Sequence, residues 1–163
     1  MASHLDTRTG LKSAEIVDGA LLLVLNNTLA AVEDGRAQVL DFLAAATLDP
    51  LVRNRLEVLF EELVSNTIRH GFIRHSDQSI HVRVERKPGA IELTFEDDGT
   101  PFNPLESEAP QPFSTIEAAR IGGLGIPLVV KLSSGLRYER LAQSEKAGRG
   151  FRPHNRTIVS LAT

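Results

Sequence analysis

The most informative absence in this 163-residue chain is cysteine, of which there is none. Without a thiol the chain cannot form a disulfide, bind zinc through cysteine or use a thiol nucleophile. Long hydrophobic runs are also missing, since the apolar run at residues 21–25 is far too short to cross a bilayer. Residues 1–12 are polar and lack the apolar centre of a signal peptide. We therefore expect a cytoplasmic protein with no membrane contact.

A strong excess of one charge is likewise absent. The formal net charge is −3 and the pI is about 6.0, which argues against an extended surface for nucleic acid. The hydrophobic content of 42% is ordinary for a globular protein, and the chain is long enough for one substantial core. Residues 1–18 show no periodicity, so we expect a flexible tail there, followed by a single domain at residues 19–163.

Hydrophobic periodicity predicts an α+β fold. Residues 20–26 form an apolar run typical of a buried strand, and residues 79–87 and 90–96 alternate like a hairpin around Pro88-Gly89. The other predicted elements are helices at 32–46, 50–70 and 126–132, and strands at 136–142 and 157–162. We expect a two-layer sandwich, with helices on one face of a mostly antiparallel mixed sheet.

The first candidate motif is a row of polar residues on the predicted helix 50–70. Glu62, Asn66 and His70 are spaced four residues apart, so they line up at the edge of the apolar face. Asn66 offers a neutral oxygen ligand for Mg²⁺, and Glu62 offers a base one turn earlier, as a kinase or ATPase requires. Glu61 lies about 100° further round and is expected in solvent. A solvated polar flank is the alternative interpretation.

The second motif is Asp97-x-Gly99, which follows the predicted strand 90–96. The carboxylate is a hydrogen-bond acceptor, and the glycine leaves the adjoining backbone open to close approach, so an adenine amino group could use both. The alternative is a tight turn in which Asp97 or Asp98 accepts from nearby backbone N–H groups.

The third motif is Gly122-Gly123-x-Gly125, at the start of the predicted helix 126–132. Glycines let backbone N–H groups approach a phosphate, and the helix N-terminus favours its negative charge. A flexible hinge is the alternative. The motif lacks the Gly-Lys-Ser/Thr ending of a P-loop and does not follow a strand, so P-loop and Rossmann interpretations both fit poorly. The preceding residues 103–121 are rich in proline and glutamate and predict a mobile loop, with a short helix near 115–119.

The order of these motifs resembles the GHKL ATP-binding fold of histidine kinases and type II topoisomerases. Within it, the chain is most similar to bacterial anti-sigma factor serine kinases. The likeness rests on Glu62…Asn66…His70, on Asp97-Asp98-Gly99-Thr100-Pro101-Phe102 and on the glycine cluster. The segment 155–157 is similar to the entry of their last strand, and the resemblance covers roughly residues 20–163.

The resemblance implies a function for each motif. Asp97 would accept from the adenine amino group beside Gly99, and Asn66 would bind the Mg²⁺ that bridges the phosphates of ATP. Glu62 would be the base acting on a serine hydroxyl of a protein substrate. The phosphates would be cradled by Gly122, Gly123 and Gly125 as a lid at residues 103–121 closes. Arg120 in that lid would neutralise phosphate charge, and Thr157 on the last strand would contact the nucleotide. His70 is expected to be structural, and Arg120 is equally well explained as a solvated lid residue.

The resemblance also implies partners. The substrate would be a STAS-domain anti-anti-sigma protein, and the kinase would sequester a sigma factor or another regulatory target, with a homodimer as the family's usual state. The alternatives are a nucleotide-binding switch that sequesters partners without useful transfer, the ATP-binding half of a histidine kinase, and a scaffold that binds no nucleotide. Residues 1–31 are too short for the dimerisation helices of a histidine kinase and offer only His4.

Overall fold

A single antiparallel sheet organises the part of the chain that the structure describes. The computed structural model describes residues 9–71, 78–106, 125–141 and 154–163. Within these ranges the strands follow the order β1-β2-β3-β4-β6-β5, and each neighbouring pair is antiparallel. The strands are β1 (Leu11–Val17), β2 (Ala20–Asn26), β3 (Ser79–Lys87), β4 (Ala90–Asp97), β5 (Gly135–Leu141) and β6 (His154–Ala162).

The described helices cover one face of this sheet. They are α1 (Ala30–Leu43), continued by a 3₁₀ turn at Ala44–Ala46, then α2 (Pro50–Asn66) and α3 (Gly125–Leu132), with a short 3₁₀ turn at Pro104–Glu106. The α+β sandwich predicted from the sequence is confirmed, and the described pairings are all antiparallel. No helix in the described ranges is long and apolar enough to cross a membrane.

Apolar side chains from alternate strand positions meet the inner faces of α1 and α2. Phe60 of α2 and Phe95 of β4 stand at the centre, with ring centroids 6.0 Å apart and planes tilted by 52°. Both rings are almost fully buried. This contact fixes α2 over the end of β4, which is where two of the sequence motifs come together.

A side chain caps the start of α2, whereas no side chain caps the start of α1. Asp49 accepts a hydrogen bond from the backbone N–H of Leu51 at 2.8 Å, and Pro50 follows in the first turn of α2. The α1 helix begins at Ala30, two residues before the predicted start at residue 32. The carboxylate of Asp34, within α1, accepts from the backbone N–H of Gly10 at 2.6 Å and so anchors the segment before β1.

The α2 helix changes character where the sequence predicted an uninterrupted α-helix to His70. Thr67–Gly71 forms a π-helical turn. The N–H of Thr67 is shared between the carbonyls of Leu63 and Val64, and its hydroxyl also donates to Leu63 at 3.0 Å. Side-chain competition for a helix carbonyl loosens the regular ladder, which accounts for the wider turn.

The expected flexible tail is wrong for residues 11–17, which form the edge strand β1. The preceding segment is held as well. The backbone N–H of Asn26 donates to the carbonyl of Gly10 at 2.8 Å, and the side-chain amide of Asn26 donates to the backbone carbonyl of Thr9. All residues of β1 after Leu11 are exposed. A strand with no buried face leaves no alternating pattern in the sequence, which is why periodicity missed it.

Gly35 gives a direct test of how α1 packs on the core. A Cβ at this position would lie 2.7 Å from Phe60 Cζ and 3.2 Å from Leu25 Cδ1. Alanine is favoured over glycine in a helix by about 1 kcal/mol, but overpacking a core costs about 1–3 kcal/mol. We expect Gly35→Ala to lower the free energy of unfolding in urea by up to about 2 kcal/mol. A more stable variant would contradict the close packing of α1 on Phe60.

Candidate functional site

A pocket opens where α2, β4, β6 and α3 meet. It contains about 480 Å³ of space, part of which is open solvent. Three residues predicted from the sequence line it together: Asn66 at the end of α2, Asp97 at the end of β4 and Thr157 on β6. The other lining residues mix apolar and polar side chains and include Leu63, Thr67, Phe95, Thr100, Phe102, Ile126 and Asn155. An apolar cleft with a few convergent polar groups is typical of a small-molecule site.

Asp97 is held by two hydrogen bonds to the same carboxylate oxygen. Its Oδ1 accepts from the backbone N–H of Gly99 at 2.9 Å and from Asn155 Nδ2 at 3.0 Å. The hydrogen bond to Gly99 is the turn interaction that the sequence analysis set against a nucleotide-binding role for Asp97. The same carboxylate also lines the pocket, so the turn orients the side chain without removing it from the site.

Gly99 is required by a backbone contact. A Cβ at this position would overlap the carbonyl of Gly71, at the end of the π-helical turn. The same carbonyl accepts from the N–H of Thr100 at 2.8 Å. The close approach ties the end of α2 to the turn after β4, and so fixes the spacing between Asn66 and Asp97.

Glu62 points elsewhere and is not among the residues that line this pocket. It is half-buried beside the start of α3, where a Cβ on Gly125 would overlap Glu62 Oε2. Gly125 was predicted to cradle phosphate, and the structure gives it a second reason to lack a side chain, because it makes room for this carboxylate. Glu61 is exposed, as expected.

Burial alters the acidity of both carboxyl groups. Desolvation raises the pKa of Glu62, the nearby charge of Glu61 raises it further, and the charge of Arg69 acts in the opposite direction. Desolvation also raises the pKa of Asp97, against the lowering effect of its hydrogen bonds from Asn155 and Gly99. Carboxyl groups whose pKa is raised by burial are frequent at functional sites.

Sequence reasoning missed the network behind Asp97. Asn155 Oδ1 accepts from the Tyr138 hydroxyl at 2.7 Å and from Arg140 Nη1 at 2.9 Å, and Arg140 also donates to the carbonyl of Gly99 at 3.0 Å. The residues come from β5 and β6, far from Asp97 in sequence. An asparagine at the entry of the last strand was the one signal available, but only the cross-strand pairing of Asp97 with Asn155 reveals its partner.

Part of the predicted site lies outside the described residues. This part comprises Arg120, Gly122, Gly123, the lid residues 107–121 and the short helix predicted at 115–119. His70 is exposed at the end of α2 and lines the pocket.

The donors present suit a cation that is held mainly by a ligand's own oxygens. The described residues contain no group of three or more His, Asp or Glu side chains that could hold a metal ion by themselves. Asn66, whose side chain carries one amide oxygen, lines the pocket instead, and Glu62 lies one helical turn earlier. Mg²⁺ often takes only one or two protein ligands when phosphates complete its shell, so this sparse set fits that ion.

The raised pKa of Asp97 predicts a stability cost at neutral pH. Between the ordinary and the raised pKa the folded state binds more protons than the unfolded state, so stability decreases as the pH rises through that window. We expect Asp97→Asn, which keeps an oxygen acceptor without the charge, to melt at a higher temperature than the parent at pH 7. The difference should shrink towards about pH 4.

Asp98→Asn is the matched control, since it removes one negative charge from the same turn. An Asp97→Asn variant that melts below both proteins at pH 7 would contradict the assignment of a desolvation cost to this carboxylate.

Comparison with known proteins gives the fold a family. A profile of the histidine kinase-like ATPase domain matches residues 25–149. The serine/threonine-protein kinase BtrW of Bordetella bronchiseptica is 24% identical over 89 residues, a span covering 55% of this chain and 63% of that protein. The chain thus spans less than two thirds of that relative. A histidine kinase domain from a blue-light activated histidine kinase of Erythrobacter litoralis matches with a TM-score of 0.46 and 13% identity, covering 85% of this chain and 61% of that one.

The profile match extends over more than half of the chain and contains α2, the Asp97 turn and the start of α3. It agrees with the resemblance drawn from the order of the three motifs. The chain belongs to the histidine kinase-like ATPase domain family.

Proposed function

We propose that this protein is a Mg-ATP-dependent protein serine kinase. The observation that carries the proposal is the convergence of Asn66 and Asp97 on one pocket, with Glu62 one helical turn from Asn66. Membership of an ATPase domain family supports ATP as the ligand. The similarity to a protein named as a serine/threonine-protein kinase supports transfer to a hydroxyl group.

The adenine end of the proposed site is the described pocket. Asp97 would accept a hydrogen bond from the adenine amino group, since its carboxylate lines the pocket and is oriented by Gly99 and Asn155. Apolar side chains of Leu63, Phe95 and Ile126 would cover the faces of the base. Thr157 on β6 pairs with Phe95 on β4 and would contact the same base.

The phosphate end would lie towards the start of α3. Asn66 would supply an oxygen ligand to Mg²⁺, which neutralises phosphate charge when it is bound. Gly125 stands at the helix N-terminus, where backbone N–H groups favour an anion. Gly122 and Gly123 would extend that cradle and Arg120 would add a positive charge, roles proposed from the sequence alone.

Glu62 would be the base. It would take the proton of a substrate serine as that oxygen bonds to the γ-phosphorus and the bond from phosphorus to the leaving ADP oxygen breaks. Its position outside the adenine pocket, beside Gly125 at the start of α3, is where a base must stand if the phosphates run from the adenine pocket towards α3. The pKa raised by burial also suits a base that works near neutral pH.

The substrate would be a STAS-domain anti-anti-sigma protein, and phosphorylation would release the kinase to sequester a sigma factor or another regulatory target, with a homodimer as the working state. These partners come from the family resemblance of the motifs. The second candidate is a nucleotide-binding switch that sequesters partners without transfer. The observation that favours it is that Asn66 and Asp97 line the pocket whereas Glu62 does not, because a switch needs only the nucleotide pocket.

Phosphate transfer by the parent protein separates the two candidates, and Glu62→Gln tests the assigned base. Losing a general base should slow transfer of labelled γ-phosphate to a STAS-domain substrate by roughly 10²–10⁴-fold. ATP affinity in calorimetry should stay within about twofold, because Glu62 lies outside the adenine pocket and a twofold change is well under 1 kcal/mol. In the parent protein, the transfer rate should rise with pH through the raised pKa of Glu62, since only the carboxylate can accept the proton.

Glu61→Gln serves as the control, because it removes the same charge from the exposed neighbouring position. Transfer by Glu62→Gln at the parent rate would exclude Glu62 as the base. ATP binding by the parent without any transfer would favour the switch.

A further inference from the structure

Asn155 is a buried side-chain amide whose hydrogen-bonding capacity is fully used. It lies on β6 directly opposite Asp97 of β4 and is 5% exposed. Its Nδ2 donates to Asp97 Oδ1 at 3.0 Å and to the carbonyl of Thr100 at 2.8 Å. Its Oδ1 accepts from Tyr138 and Arg140. A carboxamide has two N–H donors and two acceptor positions, and here all four are occupied.

The partners of Asn155 allow only one orientation of the amide. Arg140 can donate but cannot accept, so it must face the amide oxygen. The carbonyl of Thr100 can accept but cannot donate, so it must face the amide nitrogen. Rotating the amide by 180° would set donor against donor and acceptor against acceptor. The nitrogen is therefore fixed towards Asp97 by two side chains of β5 and by the turn after β4.

This orientation decides which oxygen of Asp97 serves the pocket. Asn155 and Gly99 both donate to Oδ1, which leaves Oδ2 as the acceptor for a bound molecule. The turn is fixed at the same time, since Asn155 holds the carbonyl of Thr100 and Arg140 holds that of Gly99. Rotation of the carboxylate would break bonds to both Asn155 and Gly99.

We propose that Asn155 is a positioning residue for adenine selectivity, fixing Asp97 so that Oδ2 faces the 6-amino group of the base. The inference rests on the proposed nucleotide site and adds a residue to it. Tyr138 and Arg140 act one step further back by fixing Asn155. Asn155 also lines the pocket, but its donor and acceptor positions are all used by protein groups, so it makes its contribution through Asp97.

Selectivity is the readout that separates positioning from a general structural role. Affinities for ATP and for purine riboside triphosphate, which has hydrogen in place of the 6-amino group, are measured by calorimetry with the full chain. In Asn155→Ala, we expect ATP to bind about tenfold more weakly, as for loss of a well-oriented hydrogen bond to a charged acceptor. The analogue, which does not use Oδ2 as an acceptor, should change by less than about twofold.

Tyr138→Phe is a milder second variant, because it removes only the hydroxyl that donates to Asn155 Oδ1. We expect it to keep the fold and to lose selectivity for ATP by about two- to threefold, a fraction of one hydrogen bond. Ser160→Ala is the control, since Ser160 stands on β6 on the opposite face of the sheet and should leave both affinities unchanged.

Each outcome decides the proposal. A selective loss of ATP affinity in Asn155→Ala, or in Tyr138→Phe if the first variant does not fold, supports it. An equal loss for both nucleotides would show a structural role only, and unchanged selectivity in the folded variants would refute positioning while the nucleotide site itself stands. If the parent does not bind ATP, the proposed function fails and this inference fails with it.

Discussion

A carboxylate buried at the end of a strand is the constraint on which this site depends. Burying Asp97 costs free energy, as its raised pKa shows, and the cost is offset only if its oxygens find donors. The turn supplies one donor through Gly99, and β6 supplies another through Asn155. The Gly71 carbonyl must then come close to Gly99 and Thr100, which sets where α2 can end. Sheet register, turn and helix end are thus coupled through one side chain.

Packing in the core holds α2 in the position that the contact between Gly71 and Gly99 requires. Phe60 on α2 packs against Phe95 on β4, two residues before Asp97, so the same helix that carries Glu62 and Asn66 is fixed to the strand that carries Asp97. The π-helical turn Thr67–Gly71 follows, and its residues Thr67, His70 and Gly71 line the pocket. Placing both sets of polar groups on elements held by one aromatic contact keeps their separation fixed, which a preorganised site requires.

The sequence predicted the pocket better than it predicted the framework behind it. Helical spacing indicated Asn66 and a strand-ending turn indicated Asp97, whereas Thr157 followed only from the family resemblance; all three line the pocket. The hairpin β3–β4 was predicted because both strands bury alternate residues. Strand β1 was missed because it is exposed along almost its whole length, so no alternation marks it. Its position depends on pairing with β2, which is a tertiary property.

The same limit applies to individual side chains. The sequence placed Asp34 within a predicted helix, but helical spacing gave no sign that its carboxylate accepts from the backbone N–H of Gly10 in the segment before β1. Nothing in the spacing of Tyr138, Arg140 and Asn155 indicated that they share one network, because only the pairing of β5 with β6 brings them together. Local patterns predict elements and turns, whereas hydrogen bonds between distant strands depend on register.

The central claim is that the pocket around Asp97 holds adenine with the phosphates directed towards α3. A crystal structure of the protein with Mg²⁺ and a non-hydrolysable ATP analogue tests it most directly. The account predicts the 6-amino nitrogen within about 3.2 Å of Asp97 Oδ2, and Mg²⁺ on the amide oxygen of Asn66. Adenine bound outside this pocket, or inside it with Asp97 Oδ2 facing away from the base, would contradict the account.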